Sequence, residues 1–181
     1  MATKKTESAT FRLEKEMLEQ LRSEAEKKQI SLNVLVNQVL RQYNTFNTDA
    51  PPAGFLSMPK STLKRVMDML TEKQVEEVIK ALIENDVEDI ILLFRNEFTT
   101  ESFLDVIESW IRSQNLPFKH EIKDDVHKYL IQHDMGRNWS LYFSEIFSRT
   151  LEKLTSKKIE RTITNNTIMF SVDLSKGVIE K

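Results

Sequence analysis

The chain has 181 residues, enough for one or two domains around a sizeable core. Charged residues make up 30% and hydrophobic ones 40%, an ordinary globular balance rather than a disordered one. With no cysteine, disulfides, thiolate metal sites and cysteine nucleophiles drop out together, and three glycines without a Gly-rich loop argue against P-loop and dinucleotide folds.

The net charge of −2 is unevenly spread. Residues 1–46 hold eight Lys/Arg against six Glu, and the remainder holds eighteen basic against twenty-two acidic residues. A mildly basic head on an acidic body fits nucleic-acid contact by the head alone. The longest apolar run, Ile90-Ile91-Leu92-Leu93-Phe94, is far short of the ~18–20 residues of a membrane helix. The N-terminus is polar, with no apolar leader, so a cytoplasmic chain with no membrane partner is expected.

Residues 8–13 alternate strictly, with Ala9, Phe11 and Leu13 on one face and Ser8, Thr10 and Arg12 on the other, which predicts a strand. An amphipathic helix follows, with Met17, Leu18, Leu21 and Ala25 as its apolar positions, opened by Glu14, a poor cap. After Glu26-Lys27-Lys28-Gln29, Ser31 is placed to cap a second helix by accepting from Asn33 or Val34. That helix is expected to bury Leu32, Leu35, Val36, Val39, Leu40 and Tyr43. One strand and two short helices lie below the size at which a single core suffices, and a lone strand has two open edges. The expectation is therefore an obligate homodimer in which two strands pair antiparallel. Their polar face would be about as wide as a major groove admits.

The register of strand, helix, Ile30-Ser31-Leu32-Asn33 and helix resembles the ribbon-helix-helix (MetJ/Arc-like) family of DNA-binding transcriptional regulators, over residues 7–46 only. The resemblance implies a dimeric β-α-α head on double-stranded DNA. Base contacts would come from Ser8, Thr10 and Arg12. Phosphate contacts would come from the amides of Ser31, Leu32 and Asn33. Apart from the resemblance, Lys4 and Lys5 are either a solvated charged tail or further phosphate contacts. The family's inter-helix turn usually carries a glycine; Gln29 stands there and would have to adopt a left-handed backbone.

The segment from Asn44 to Gly54, with Pro51-Pro52, is the densest cluster of helix breakers. It divides the chain into a DNA-binding and dimerisation domain (1–46), a linker (47–54) and a regulatory or oligomerisation domain (55–181). From Ser57 to Asn115 apolar residues recur at helical spacing, predicting four helices, with Ser61, Thr71 and Thr100 as N-caps and Pro117 as the final stop. A hairpin turning at Asp124-Asp125 leads into a strand over 126–133. A helix over 138–154 capped by Asn138 follows, and then two strands flanking Asn165-Asn166, a turn suited to positive φ. The fold class expected is mainly α, with an N-terminal ribbon-helix-helix, a helical segment and an antiparallel β-β-α-β-β unit.

All three histidines, His120, His127 and His133, fall within fourteen positions. His127 and His133 share a strand face but stand about 20 Å apart, too far for one metal ion to bridge. Only a hairpin bringing His120 opposite a strand residue, or a second subunit, could assemble a site. No metal or other cofactor is therefore expected, and no Ser–His–Asp or paired-carboxylate arrangement can be argued from spacing, so no enzyme. The reading is a homodimer, or dimer of dimers, that regulates transcription. An antitoxin, or a metal or small-molecule receptor with a DNA-binding head, are the rivals.

Overall fold

The computed structural model describes residues 6–175, which fall into two compact units dividing between Tyr43 and Asn44. The first unit holds α1 (Lys15–Lys27) and α2 (Leu32–Gln42). A π-helical turn, Tyr43–Asn47, bridges the boundary. The second unit continues through α3 (Lys60–Met69), α4 (Glu72–Asn85), α5 (Val87–Arg95), α6 (Thr100–Ser113), β1 (Phe118–Lys123), β2 (Val126–Gln132), α7 (Arg137–Thr155), β3 (Glu160–Ile163) and β4 (Thr167–Asp173). Among the described residues that makes seven α-helices and one four-stranded antiparallel sheet in the order β1-β2-β4-β3. No helix among them is long and apolar enough to cross a membrane.

The predicted N-terminal strand is not there. Residues 6–14 form neither strand nor bridge, and every one of them is exposed. The β-α-α ribbon expected of the head is therefore wrong for this chain, which opens with helices. The physical reason is that a strand exists only against a neighbour. The four strands present pair with one another, so alternation at 8–13 has nothing to pair with and no face to bury.

In the second unit, side-chain caps open two of the helices, α4 and α6. Thr71 caps α4 through a reciprocal box: its Oγ1 accepts from the Gln74 amide at 3.3 Å, and the Gln74 side chain accepts from the Thr71 amide at 2.9 Å. Helix α6 is capped by Thr99, one residue before the expected Thr100, and its hydroxyl accepts from the Ser102 amide. Helix α3 starts at Lys60 after Pro59, so Ser61 lies inside it rather than capping it. Proline's fixed φ opens that helix without a side-chain acceptor.

Helix α7 covers one face of the sheet. Phe147 packs on Phe170 at 5.5 Å, and Phe170 stacks on Tyr129 at 4.7 Å. Val75, Ile79, Ile111, Leu151 and Val172 are fully buried in the same core. Glu145, only 8% exposed, is held between Arg161 of β3 and Arg149, which also reaches Glu76 of α4 at 2.6 Å. A buried carboxylate flanked by two guanidiniums is compensated in charge and ties three elements together. The opposite face carries Lys119, Glu121, Lys128, Glu160 and Met169, all exposed.

Asp124 (φ 49°) and Asp125 (φ 63°) both take left-handed backbones in the tight β1–β2 turn. Asn165 and Asn166, expected at positive φ, do not adopt it. Their loop is set by docking instead: the Asn166 carbonyl accepts from the His133 amide at 3.0 Å, and its Oδ1 accepts from the Gly136 amide at 3.2 Å. Gly136 (φ 88°) is the N-cap of α7, not Asn138. The Asn138 side chain donates to the carbonyls of Met67 and Leu70, at 2.9 and 2.7 Å, and so satisfies the C-terminal end of α3.

Candidate nucleic-acid interface

Ser8, Thr10 and Arg12 lie on an extended, fully exposed segment leading into α1. Among the described residues Arg12 has no carboxylate within ion-pairing distance, although α1 carries four glutamates. Its guanidinium therefore keeps its donors available, as a base or phosphate contact requires. Lys4 and Lys5 lie outside the described residues.

The turn between the helices runs from Lys28 to Ser31. Gln29 adopts φ 54°, and the Ile30 amide reaches back to the Ala25 carbonyl at 3.0 Å, closing α1 in the manner of a Schellman end. The chain then extends at Ser31 (φ −72°, ψ 152°), whose hydroxyl accepts from the Val34 amide at 3.2 Å. That hydroxyl keeps its own proton to donate. Leu32 and Asn33, as the first two residues of α2, have amides with no intrahelical acceptor. No acidic residue occupies the first turn of α2, so that turn adds no charge opposing an anion.

The apolar positions of this unit are mostly uncovered. Only Ala25 and Leu35 are buried, whereas Phe11 is 65% exposed and Leu13, Met17, Val34, Val39 and Leu40 are each exposed by 43–51%. The expectation that α2 buries Val39, Leu40 and Tyr43 does not hold within one chain. Two 11- and 13-residue helices cannot enclose that surface themselves.

The histidines resolve into two different settings. The β1–β2 register puts His120 opposite Tyr129 and Ile122 opposite His127, and the hairpin brings His120 Nε2 within 3.0 Å of His127 Nδ1. His120 Nδ1 lies 2.7 Å from Glu108 Oε1, which also accepts from the Tyr129 hydroxyl at 3.1 Å. The result is a carboxylate–imidazole–imidazole chain, with the His120 ring stacked on Tyr129 at 4.1 Å. Burial, followed by the neighbouring His120, holds His127 below the usual histidine range, and burial followed by Glu108 pushes the Tyr129 phenol up. Glu108 comes from α6, ten residues before β1 begins, and no spacing pattern links it to the histidines.

His133 stands apart, 3% exposed. Burial brings its pKa down to about 4, so its ring is neutral at pH 7. Among the described residues, no three or more His, Asp and Glu side chains are grouped to hold a metal ion. Comparison with protein-family models, with curated proteins and with solved structures finds no match to this chain.

Proposed function

We propose that the protein is a dimeric, sequence-specific DNA-binding regulator of transcription, with residues 1–46 on the DNA and residues 55–181 for sensing or further assembly. The carrying observation is the uncovered apolar surface of the α1–α2 unit beside an exposed Arg12 that pairs with no described carboxylate. Burying Val34, Val39 and Leu40 against a second copy would stabilise the pair by roughly 25 cal/mol per Å2 removed from water. It would also double the number of exposed polar side chains available to one stretch of duplex. The free first-turn amides of α2 supply a phosphate clamp of the kind that helix N-termini make.

Arg12 is assigned to a base edge because bidentate Arg–guanine contact discriminates by about 1–3 kcal/mol. Ser8 and Thr10 are assigned to neighbouring bases, and Lys4 and Lys5 to phosphates.

The test is selection of bound duplexes from a random pool with the full-length protein, followed by the same selection with Arg12→Ala. The expected result is one enriched motif whose information falls at a defined base pair in the variant. Recovery of an unenriched pool by the unaltered protein overturns the reading.

A further inference from the structure

A cavity of about 380 Å3 opens in the second unit between α5, α6 and α7, bounded on one side by the segment Ala53–Leu56. Its inner wall is buried and apolar, with Phe103, Val106, Ile107 and Phe147 each no more than 5% exposed. Half-buried Leu82, Ile90, Trp110, Tyr142 and Phe143 line much of the rest, with Leu56 exposed at the lip, and Trp110 stacks on Phe143 at 4.6 Å. No Asp, Glu, Lys, Arg or His lines it; Tyr142 supplies the one hydroxyl and Trp110 the one ring N–H.

The wall formed by Ala53–Leu56 is held in place. The amides of Ala53, Gly54 and Phe55 bond back to Asp49, Pro51 and Ala50 at 2.9–3.1 Å. The Phe55 ring is wedged edge-on between Phe46 and Phe94, at 5.4 and 5.9 Å. Arg95 adds a further tie upstream, donating to the Thr45 carbonyl at 3.3 Å while paired with Asp105 at 2.6 Å. At Gly54 a Cβ would meet nothing within 4 Å, so there is open room at this lip.

We propose that this cavity is a binding site for one uncharged, largely aromatic or aliphatic small molecule carrying a single hydrogen-bonding group. Its volume lies in the range of small-molecule sites, and its walls are apolar with few polar atoms, as such sites are. An ionised ligand would be desolvated there with no counter-charge. A peptide would bring one amide donor and one acceptor per residue to walls that can answer few of them. Burial pushes the Tyr142 phenol up, so that hydroxyl remains a donor for a ligand carbonyl, ether or hydroxyl oxygen. The proposal stands on the second unit alone and does not depend on the DNA reading.

The test titrates the full-length protein with N-phenyl-1-naphthylamine, an uncharged fluorophore that brightens in apolar surroundings. One saturable site per chain is expected. Ala53→Trp, which fills the cavity from an exterior segment, and Ile90→Lys, which puts an ammonium at its half-buried edge, are each expected to weaken binding about tenfold, or ~1.4 kcal/mol. Val39→Ser in the first unit is expected to leave it unchanged. Absence of saturable binding to the folded protein overturns the proposal, as does binding that survives both cavity variants. Loss of the signal on Val39→Ser instead places the probe on the first unit and overturns it too. Release of the probe as protein concentration rises would make a second copy the occupant, which likewise overturns the proposal. Enrichment of a DNA motif is read in a separate assay, so failure of either reading is told apart from failure of the other.

Discussion

His133 and Ser140 meet at 2.8 Å inside the second unit, and the tautomer of the histidine is fixed by a third group. The Met135 amide donates to His133 Nδ1 at 3.0 Å, so Nδ1 carries no proton and Nε2 donates to the Ser140 oxygen. Protonating the ring would set a second N–H against the Met135 amide. In the unfolded chain His133 takes up a proton near its ordinary 6.5, and in the folded protein only near about 4. Between those values the unfolded state holds more protons, so stability falls as pH falls, by up to about 3 kcal/mol once pH is below 4. Urea melts at pH 7 and pH 4.5 are expected to differ by less in His133→Gln than in the unaltered protein. An identical difference in both would remove His133 as the source.

Asn138 is expected to matter more than a first-turn helical residue ordinarily does. Replacing it with Ala leaves the Leu70 carbonyl without its side-chain donor and the Met67 carbonyl with the Leu70 amide alone, which costs about 1–2 kcal/mol. Asn138→Asp should be no better, since a carboxylate presents no donor to a carbonyl. Urea midpoints of the two variants check this.

Gln29 sits at φ 54°, where a side chain costs about 1 kcal/mol relative to glycine. Gln29→Gly is therefore expected to slow hydrogen exchange of the α2 amides. Faster exchange would mean that added freedom in the unfolded chain outweighs the relieved strain.

Val39 is 51% exposed in the single chain, so an aspartate there removes little from the monomer's own packing. In the proposed dimer it would bury a charge without a partner. Sedimentation at micromolar concentration is expected to give a dimer for the unaltered protein and a monomer for Val39→Asp. A monomer in both contradicts the assembly.

Local chemistry that a residue carries with it was legible in the chain. Asp124-Asp125 turns a hairpin, Thr71 and Ser31 cap helices, and Glu14 makes no side-chain cap. What failed depended on a neighbour distant in sequence. Alternation at 8–13 marks a strand only if something pairs with it. Asn138 has the right composition for an N-cap, but the carbonyls of α3 claim its side chain, and Gly136 takes the cap. Asn165 and Asn166 are turn formers, but neither takes positive φ, and Asn166 docks instead on the amides of His133 and Gly136. The pairing of His120 with His127 follows from the hairpin register, but Glu108, which completes the chain, is supplied by a helix that no spacing rule connects to it.

The two rims of the sheet are unlike its middle. β1 displays Lys119, Glu121 and Lys123 along one border, while β3 has four residues and presents Glu160 and Arg161. An incoming extended chain would find unfilled amides there, but it would have to lay its own backbone among ionised groups that resist leaving water. Crowded molecules of this protein are thus discouraged from zipping border to border into open-ended fibrils, which leaves association to other surfaces.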